Sequence, residues 1–568
     1  YTEHIENREA RGLALELWGN IPATMGDAYK QLVETRKAYG SASGALEELK
    51  KAMKGHLRRM GVLTSKVEES IDAMDKGVVE AGQQPYCLGG SSLILNKIAY
   101  IRTLSAIGDD GFSPLFYVAD YDSVQPELLN TRVPSPSPKG LFVSYPSGPE
   151  YKSSPIYELP NPPEHWLTET LEKIEGNYRG LLRKARPEVR ERALQNLSHA
   201  FTMLRNVYYS TESVSEWATK TVGSLVNVES NLGVPILPFS MPEARRLFQS
   251  GYEFLLSEPN RSKFIEATNR ASELIEGKGY RSSIGRRGED YVPFYLECPS
   301  QGCHRTRVEL IYQRETSSPT AYVAGKCPKC GVVHEFSFDA GSPDISDIIG
   351  WVNPRVDSRQ LVVDSVVPVL AHVGGPGETG YYAEVIPAAK ALGTPFPIFL
   401  RYTRAFYNTP WNNSYSERLK EKGYPTLMNE GLFSGLGKWV EARNTGNGKR
   451  LCEAHREIRA TIEETYDKLL GFLQNLQSEV EDIKTRLHEQ GDRETLVKEL
   501  SRKQSATNDI ELYLSSAFGR FSPEWFGQEV SWAWLDLAVA SGVDDLLGVY
   551  LRLYNRDTPN SSMFFVNL

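Results

Sequence analysis

The feature that most constrains the fold is residues 368–378, where an apolar run breaks into a glycine-rich turn. Gly374, Gly375 and Gly377 lie between this run and residues 379–391, whose apolar side chains recur at helical spacing. The pattern predicts a buried strand, a tight loop and a helix. Because the free N–H groups at a helix N-terminus favour anions, the loop is a candidate site for a carboxylate or a phosphate.

A second turn of small residues lies far upstream, at residues 82–92, before an amphipathic stretch at residues 93–104. Ligands of open α/β sheets bind where strands end and helices begin, so the two turns predict one discontinuous nucleotide-type fold with insertions between its halves. Glycine also serves any backbone with positive φ, so a purely structural role for either turn stays open. The predicted ligand-contacting residues are Gly82, Gln83, Gln84, Gly89, Gly90, Lys97, Gly374, Gly375, Gly377 and Arg401.

Candidate catalytic side chains flank the same turns. Asp120 and Asp122 follow a strand-like apolar run, and on an extended backbone they would point to one side with Tyr121 opposite. His372 lies within the apolar run of the first turn, and Glu378 either caps the following helix or acts in the site. A carboxylate or an imidazole in such a crevice can accept a proton from an attacking amine or orient a cation.

Two cysteine pairs predict a metal site. Cys298 and Cys303 form one short turn, and Cys327 and Cys330 form another. Four thiolates close a tetrahedron around zinc and leave no open position for water, so the predicted zinc is structural. The histidines beside the pairs are interpreted as ordinary polar neighbours.

Composition narrows the class of protein. The chain has 568 residues, 40% hydrophobic and 24% charged, which fits three or four ordinary globular domains. Its net charge of −8 disfavours a large nucleic-acid surface, although it is compatible with a local basic patch. With no long apolar run, a polar start and cysteines clustered as metal ligands, we expect a cytoplasmic protein without a membrane segment.

The chain divides into regions by periodicity. Residues 462–487 carry apolar side chains at alternating steps of four and three, which is a heptad seam, and the seam stops at Gly491. A second helical stretch, residues 494–514, follows, so we expect an antiparallel coiled-coil arm that joins two copies in a homodimer. The predicted regions are an N-terminal helical region (1–80), the first half of the α/β core (81–150), a helical insertion (151–290), a zinc ribbon (291–340), the second half of the core (341–410), the coiled-coil arm (411–520) and a C-terminal aromatic segment (521–568).

Four segments, in this order, resemble the bacillithiol cysteine-ligase family (BshC). They are Gly-Gln-Gln-Pro at 82–85 with the following glycines and lysine, Phe-Tyr-Val-Ala at 116–119 ending in Asp-Tyr-Asp, Asn-Pro-Arg-Val-Asp-Ser-Arg at 353–359, and the run from His-Val-Gly-Gly-Pro at 372–376 to Pro-Ile-Phe-Leu-Arg at 397–401. The resemblance spans roughly residues 80–410. It implies a Rossmann-like core with helical insertions and a coiled-coil arm.

The resemblance also implies an activity, namely the last step of bacillithiol synthesis, which joins cysteine to glucosaminyl malate, with ATP or ADP as a possible nucleotide. Two departures separate this chain from the family. Residues 121–124 replace most of a Glu-Asp-His-Asp cluster, so Asp120 and His372 are candidate replacements. The cysteine pairs are an insertion that resembles the zinc ribbon of class I lysyl-tRNA synthetases.

Two other functions stay open at this point. The first is a class I aminoacyl-tRNA-synthetase-like protein that binds RNA through the zinc ribbon and the arm, although neither signature motif of that class occurs in the chain. The second is a non-catalytic scaffold that keeps the fold. The ligase predicts binding of cysteine and a sugar-malate, whereas the scaffold predicts no small-molecule binding.

Overall fold

The structure is a computed structural model that describes most of the chain. The described residues are 1, 8–40, 43–135, 140–315, 318–427, 430, 432, 434–435, 437–438, 442, 448–489, 493–518, 529, 532–560 and 563–568.

Strands occur in both predicted halves of the core and between them. In the described residues they are β1 (Val78–Gln83), β2 (Ser113–Val118), β3 (Asn130–Val133), β4 (Leu141–Ser144), β5 (Ile236–Pro238), β6 (Phe294–Glu297), β7 (Arg307–Val308), β8 (Ile311–Arg314), β9 (Thr320–Lys326), β10 (Val333–Asp339), β11 (Val352–Pro354), β12 (Val369–Gly374), β13 (Ile398–Arg401), β14 (Arg404–Asn408) and β15 (Met563–Asn567).

Helices dominate the rest of the described chain. They are α1 (Arg8–Trp18), α2 (Met25–Arg36), α3 (Gly44–Arg59), α4 (Ser65–Asp72), α5 (Leu93–Ser105), α6 (Pro126–Leu129), α7 (Glu164–Leu181), α8 (Pro187–Tyr208), α9 (Val214–Gly223), α10 (Pro242–Leu247), α11 (Gln249–Leu256), α12 (Asn260–Gly277), α13 (Arg359–Asp364), α14 (Pro376–Leu392), α15 (Pro410–Glu421), α16 (Gly448–Glu489), α17 (Arg493–Tyr513), α18 (Trp534–Ser541) and α19 (Gly548–Leu551).

A five-stranded parallel sheet, in the order β13-β12-β1-β2-β5, forms the centre of the described structure. Strands β2 and β12 are buried along their whole length, which explains their nearly continuous apolar sequences, because helices cover both faces of a parallel sheet. The predicted mixed α/β class is therefore confirmed. The helices predicted after the two glycine turns are confirmed as α5 and α14.

Smaller antiparallel sheets surround the cysteine pairs. Strands β8, β9 and β10 form one three-stranded sheet, and β11, β6 and β7 form another. The predicted helical insertion, residues 151–290, contains α7 to α12 and also the short strand β5. Strand β1 begins at Val78, two residues before the predicted end of the N-terminal helical region. No described helix has the length and apolar character needed to cross a membrane.

Helices α16 and α17 lie antiparallel. Gln477 hydrogen-bonds Glu511, and Glu479 pairs with Lys503. The seam side chains from Leu469 to Ile483 are buried, and α17 contributes buried apolar residues opposite them. The seam is thus covered largely within one chain, so its length alone does not require a second copy. The turn at Gly491 lies outside the described residues, and the coiled-coil geometry stays a prediction.

The C-terminal segment packs back onto the core. Strand β15 pairs with β14, just after the last strand of the central sheet. Trp532 and Trp534 are buried, and the Trp534 indole N–H donates to the Leu88 carbonyl in the loop after β1. Phe521 and Trp525, which also belong to the predicted aromatic segment, lie outside the described residues.

Candidate functional site

Four buried or half-buried ionisable side chains meet at the carboxyl ends of β1 and β12. Parallel pairing places Glu80 beside His372, while Lys97 comes from α5 and Glu378 from the first turn of α14. The sheet order reverses here, because β1 leads through α5 to β2 on one side and β12 leads through α14 to β13 on the other. Ligands of open α/β sheets bind at such a switch point. We call these four side chains the acid–base quartet.

His372 is held between two carboxylates. Its Nδ1 lies 2.7 Å from Glu80 Oε1, and its Nε2 lies 2.9 Å from Glu378 Oε1. The imidazole also stacks on Tyr382, with ring centroids 4.7 Å apart, so its orientation is fixed. A neutral imidazole carries one proton and can therefore donate in only one of these two contacts. Taking up a second proton would let it donate in both without the ring moving.

Lys97 supplies the positive charge of the quartet. Its side chain is only 1% exposed, and Nζ lies 2.6 Å from Glu378 Oε2. Nζ also donates to the Gly82 carbonyl at 2.9 Å and to Gln83 Oε1 at 3.1 Å. All three donor positions of the ammonium are therefore occupied, and Lys97 joins the loop after β1 to the helix after β12.

Glu378 occupies the anion position of the glycine loop. The Gly375 N–H donates to Glu378 Oε2 at 2.7 Å, so this loop amide binds the chain's own carboxylate. Burial alone would raise the pKa of Glu378, but Lys97 and His372 beside it lower that pKa well below its usual range. Glu378 is thus an ionised anchor that caps the helix and orients its neighbours.

A chain of amides extends the quartet towards β2. Gln83 Nε2 donates to Gln84 Oε1 at 2.9 Å, and Gln84 Nε2 donates to Asp122 Oδ2 at 3.0 Å. Asp122 Oδ1 lies 3.5 Å from an Arg307 guanidinium nitrogen. The structure therefore brings together both predicted glutamines, Asp122 and the quartet in one hydrogen-bonded network.

Arg359, at the start of α13, places a buried cation beside this network. Its side chain is 7% exposed, and its guanidinium carbon lies 5.1 Å from the centre of the Tyr117 ring. Among the described residues, its Nη2 has no hydrogen-bond partner. The surrounding side chains include the phenols of Tyr121, which precedes Asp122, and Tyr381. Because buried charges are normally paired, Arg359 is a candidate partner for a ligand anion.

Arg401 ends β13 beside Gly374, with which it is in register. Its backbone N–H donates to Asn560, whereas its guanidinium has no partner in the described part of the chain. Burial lowers the pKa of Arg401 from its ordinary value, because a desolvated cation is less stable. Arg401 is a second cation available at the same edge of the sheet.

The carboxylates of Asp120 and Asp122 contact different residues. Asp120 accepts the Ser240 N–H at 2.8 Å and the Ser215 hydroxyl at 3.3 Å, and the Ser240 hydroxyl donates to it as well. Strand β2 ends at Val118, so the alternation of an extended strand does not continue to these residues. The expectation that both carboxylates point into one crevice is therefore wrong. Asp120 instead lines a separate cavity on the β5 side of β2.

Backbone conformation or close packing explains why several of the predicted positions are glycine. Gly89 and Gly90 have φ of +81° and +84°, which other residues rarely adopt. A Cβ at Gly374 would lie 2.6 Å from the Phe399 ring, whereas a Cβ at Gly375 would be 3.4 Å from its nearest neighbour, and one at Gly377 would meet nothing within 4 Å. There is therefore open space at Gly377, whereas Gly375 is in ordinary contact with Tyr402 and Glu378.

The four predicted cysteine ligands come together. The sulfurs of Cys298, Cys303, Cys327 and Cys330 all lie within 4.8 Å of one another, a group that can hold a metal ion. The His334 Nε2 lies 3.4 Å from the Cys298 sulfur, so this histidine is a neighbour of the cluster. Four soft donors at this spacing fit a tetrahedral ion.

Three residues of the site were not predicted from the sequence. For Glu80 the sequence contains a signal of a functional role, because Glu80 is the one acid within the apolar run of β1. Arg359 also had one, because an arginine begins a short apolar helix. Arg307 had none, because its strand lies far away in the sequence and only the fold brings it to Asp122.

No family model matches the chain. Among curated proteins, it is 22% identical over 325 residues to "Putative cysteine ligase BshC" of Bacillus cereus strain B4264, covering 56% of this chain and 53% of that protein. A protein of the same name from Carboxydothermus hydrogenoformans is 22% identical over 352 residues, covering 60% and 58%. Another, from B. cereus strain AH187, is 19% identical over 423 residues, covering 72% of each.

The chain spans about half the length of the first of these relatives. Their shared name supports, at low identity, the resemblance drawn from the sequence motifs. The name of these relatives does not favour the aminoacyl-tRNA-synthetase-like alternative.

Proposed function

We propose that the protein is a BshC-like ligase that joins cysteine, or a related amino compound, to a glucosaminyl-malate-type acceptor in the synthesis of a low-molecular-weight thiol. The observation that carries the proposal is the acid–base quartet at the switch point of the sheet, beside Arg359, whose Nη2 has no described hydrogen bond, and Arg401. The names of the relatives support the same chemistry. Such a ligase would act in the cytoplasm, where thiols stay reduced.

The quartet suits the proton transfer that amide formation needs. The carbon–nitrogen bond forms when the acceptor amine attacks an activated cysteine carboxyl, the leaving group departs, and the amine gives up a proton. His372 is the proposed acceptor of that proton: the neutral imidazole would become an imidazolium that donates to both Glu80 and Glu378. Lys97 and Glu378 hold the imidazole in position, and Asp122 orients the amine through Gln84.

Arg359 and Arg401 are the proposed anchors for the acceptor. Glucosaminyl malate carries two carboxylates, and a guanidinium binds a carboxylate through two parallel hydrogen bonds. ATP, with ADP as its product, is the proposed source of carboxyl activation, and the open space at Gly377 would leave room for phosphate beside the N-terminus of α14.

We also propose that the cysteine cluster holds one Zn²⁺. Its four thiolates would complete the coordination of the ion, so its role would be to stabilise the module built from β6 to β11. The arm formed by α16 and α17 is the proposed homodimer contact, with the exposed side chains of Phe472 and Val497 as apolar contact points.

Calorimetry with glucosaminyl malate and with ATP tests the proposed function. We expect saturable binding of glucosaminyl malate to the wild type and a large loss of affinity in Arg359→Met. The matched control is Arg58→Met, which removes an exposed arginine of α3 that pairs with Glu68. A wild type that binds neither compound would favour the scaffold. Untargeted mass spectrometry of co-purifying metabolites would then show whether another acceptor occupies the crevice.

A further inference from the structure

A second polar cavity lies on the other side of β2 from the acid–base quartet. It has a volume of about 330 Å³, which is within the range of small-molecule sites. It opens at the carboxyl ends of β2 and β5, where an α/β sheet presents ligand sites. Its walls come from α3, α9 and the segments after β2 and β5. The lining residues used below are His56, Arg59, Asp120, Ser215, Glu216, Thr219, Lys220 and Ser240.

Two polar groups in the wall are unpaired. Thr219 is 3% exposed, and its hydroxyl has no hydrogen-bond partner within the described structure. The buried Nε2 of His56 also has none. An unsatisfied buried polar group lowers stability, so native proteins rarely keep one unless a ligand or water completes it. Two such groups facing one cavity indicate a hydrogen-bonding occupant.

Asp120 forms an acceptor at the base of the cavity. Its carboxylate is 1% exposed and is held by Ser215 and Ser240, which fixes its orientation. Oδ1 accepts only the Ser240 N–H among its described contacts, so it has a free lone pair for a hydroxyl donor. A fixed carboxylate, an imidazole and a free hydroxyl form a donor and acceptor set that suits a polyol.

Two cations lie at the rim. Arg59, the last residue of α3, is exposed, and Lys220 of α9 is half-buried. Neither has a described hydrogen-bond or ion-pair partner. Glu216, the acid at the same rim, already accepts the Glu212 N–H at 2.9 Å. Glu216 keeps its negative charge, and Glu243 also acts on His56. An anionic end of an occupant would therefore lie on the side of Arg59 and Lys220.

We propose that this cavity binds a phosphorylated sugar. The hydroxyls of the sugar would face Thr219, His56 and Asp120, and the phosphate of the sugar would lie at the rim with Arg59 and Lys220. The residues Asp120, Tyr121 and Asp122 connect this site to the amide chain of the quartet, because Asp120 faces the sugar cavity and Asp122 faces Gln84. The proposal does not depend on the ligase function, since it uses none of the quartet's residues.

Calorimetry with glucose 6-phosphate, glucose and inorganic phosphate tests the site. We expect saturable binding of glucose 6-phosphate to the wild type. Thr219→Val should weaken it roughly tenfold by removing one hydrogen bond to the sugar. Lys220→Gln should weaken the binding of glucose 6-phosphate, because only Arg59 would then face the phosphate, and should leave glucose binding unchanged. The control is Lys51→Gln, which changes the charge of α3 equally at an exposed position outside the cavity.

Thermal unfolding separates a ligand role of Thr219 from a structural one. Because the hydroxyl is buried without a partner, ligand-free Thr219→Val should keep or raise its Tm. A lower Tm together with an unchanged Kd would overturn the proposal. So would the absence of binding heat for glucose 6-phosphate at millimolar concentration, or an equal loss in the Lys51→Gln control. Loss of binding in His372→Ala would place the sugar in the crevice and also contradict the proposal.

Discussion

At the scale of single residues, a substitution of Glu80, the partner of His372, should change turnover but not ligand binding. Glu80→Gln keeps the shape of the side chain but removes the charge that supports a protonated His372. We expect kcat of the ligation to fall on the order of a hundredfold, the size of a general acid–base contribution, with little change in the Kd of glucosaminyl malate. Steady-state kinetics and calorimetry measure the two quantities.

The matched control for that change is Glu47→Gln, which removes the charge of an exposed acid of α3 that pairs with Lys50. Its kcat should equal that of the wild type. A Glu80→Gln protein with wild-type kcat would remove the proton-transfer role of the His372 pair and leave Glu80 as a structural partner.

Lys97 makes the stability of the core dependent on pH. Lys97→Met leaves the carboxylate of Glu378 without its cation, and breaking a buried pair destabilises a protein by about 3–5 kcal/mol. The pKa of Glu378 is lowered in the folded state, so the stabilisation by Lys97 is present above the unfolded pKa of about 4.3. It is lost as the pH falls below that value towards the folded pKa.

The difference between wild type and Lys97→Met in free energy of unfolding should therefore be largest near neutral pH and shrink as the solution is acidified. Urea unfolding at several pH values measures this difference. A difference that stays constant down to the lowest pH at which both proteins fold would contradict the ion-pair explanation.

At the scale of one element, the turn between β12 and α14 has two adjacent glycines with different roles. A Cβ at Gly374 would overlap the Phe399 ring and the Glu378 Cβ, so Gly374→Ala should lower the free energy of unfolding by about 1–3 kcal/mol. At Gly375 the nearest neighbours are in ordinary contact, so Gly375→Val should fold normally and reach into the crevice. We expect it to lose glucosaminyl malate binding with an unchanged Tm.

Thermal unfolding and calorimetry of the two variants check this contrast. Normal ligand binding by Gly375→Val would place the ligand away from the α14 N-terminus. Both variants must be measured, because the result of either one alone could be explained by misfolding or by mild crowding.

The cysteine cluster makes an element-scale prediction about metal. Protein purified without chelator should contain one zinc per chain, and the Cys327→Ser/Cys330→Ser double variant should contain none, because two thiolates do not complete the coordination shell. Elemental analysis measures the stoichiometry. Zinc content near zero in the wild type, or unchanged content in the double variant, would remove the site. Cys452, which lies on α16, supplies the control Cys452→Ser.

At the scale of the whole molecule, the arm tests how the chain associates. The seam of α16 is mostly buried against α17, so a dimer through the arm would depend on its outer face, where Phe472 is 42% and Val497 is 54% exposed. Sedimentation velocity of the full chain should show a dimer, and a chain lacking residues 455–514 should be a monomer. If the chain with this deletion is still a dimer, the dimer contact lies in the core or in the C-terminal segment.

Local patterns in the sequence determined the parts of this protein that depend on near neighbours. The two glycine turns, their helices, the long arm helices and the cysteine pairs are each set by residues within a few positions of one another, because backbone preference and apolar periodicity act over short distances. The same turns also indicated Gln83, Gln84, Lys97, His372 and Glu378, which the structure joins in one network.

Only the tertiary structure decided which distant side chains share a site. Strand register places Glu80 beside His372, and the end of β2 turns Asp120 away from Asp122 into a second cavity. The loop amide predicted to bind a ligand anion instead holds Glu378, because a buried N–H is satisfied by the nearest acceptor, whether it belongs to a ligand or to the chain. Register and burial arise from contacts between segments far apart in the chain, so no local pattern encodes them.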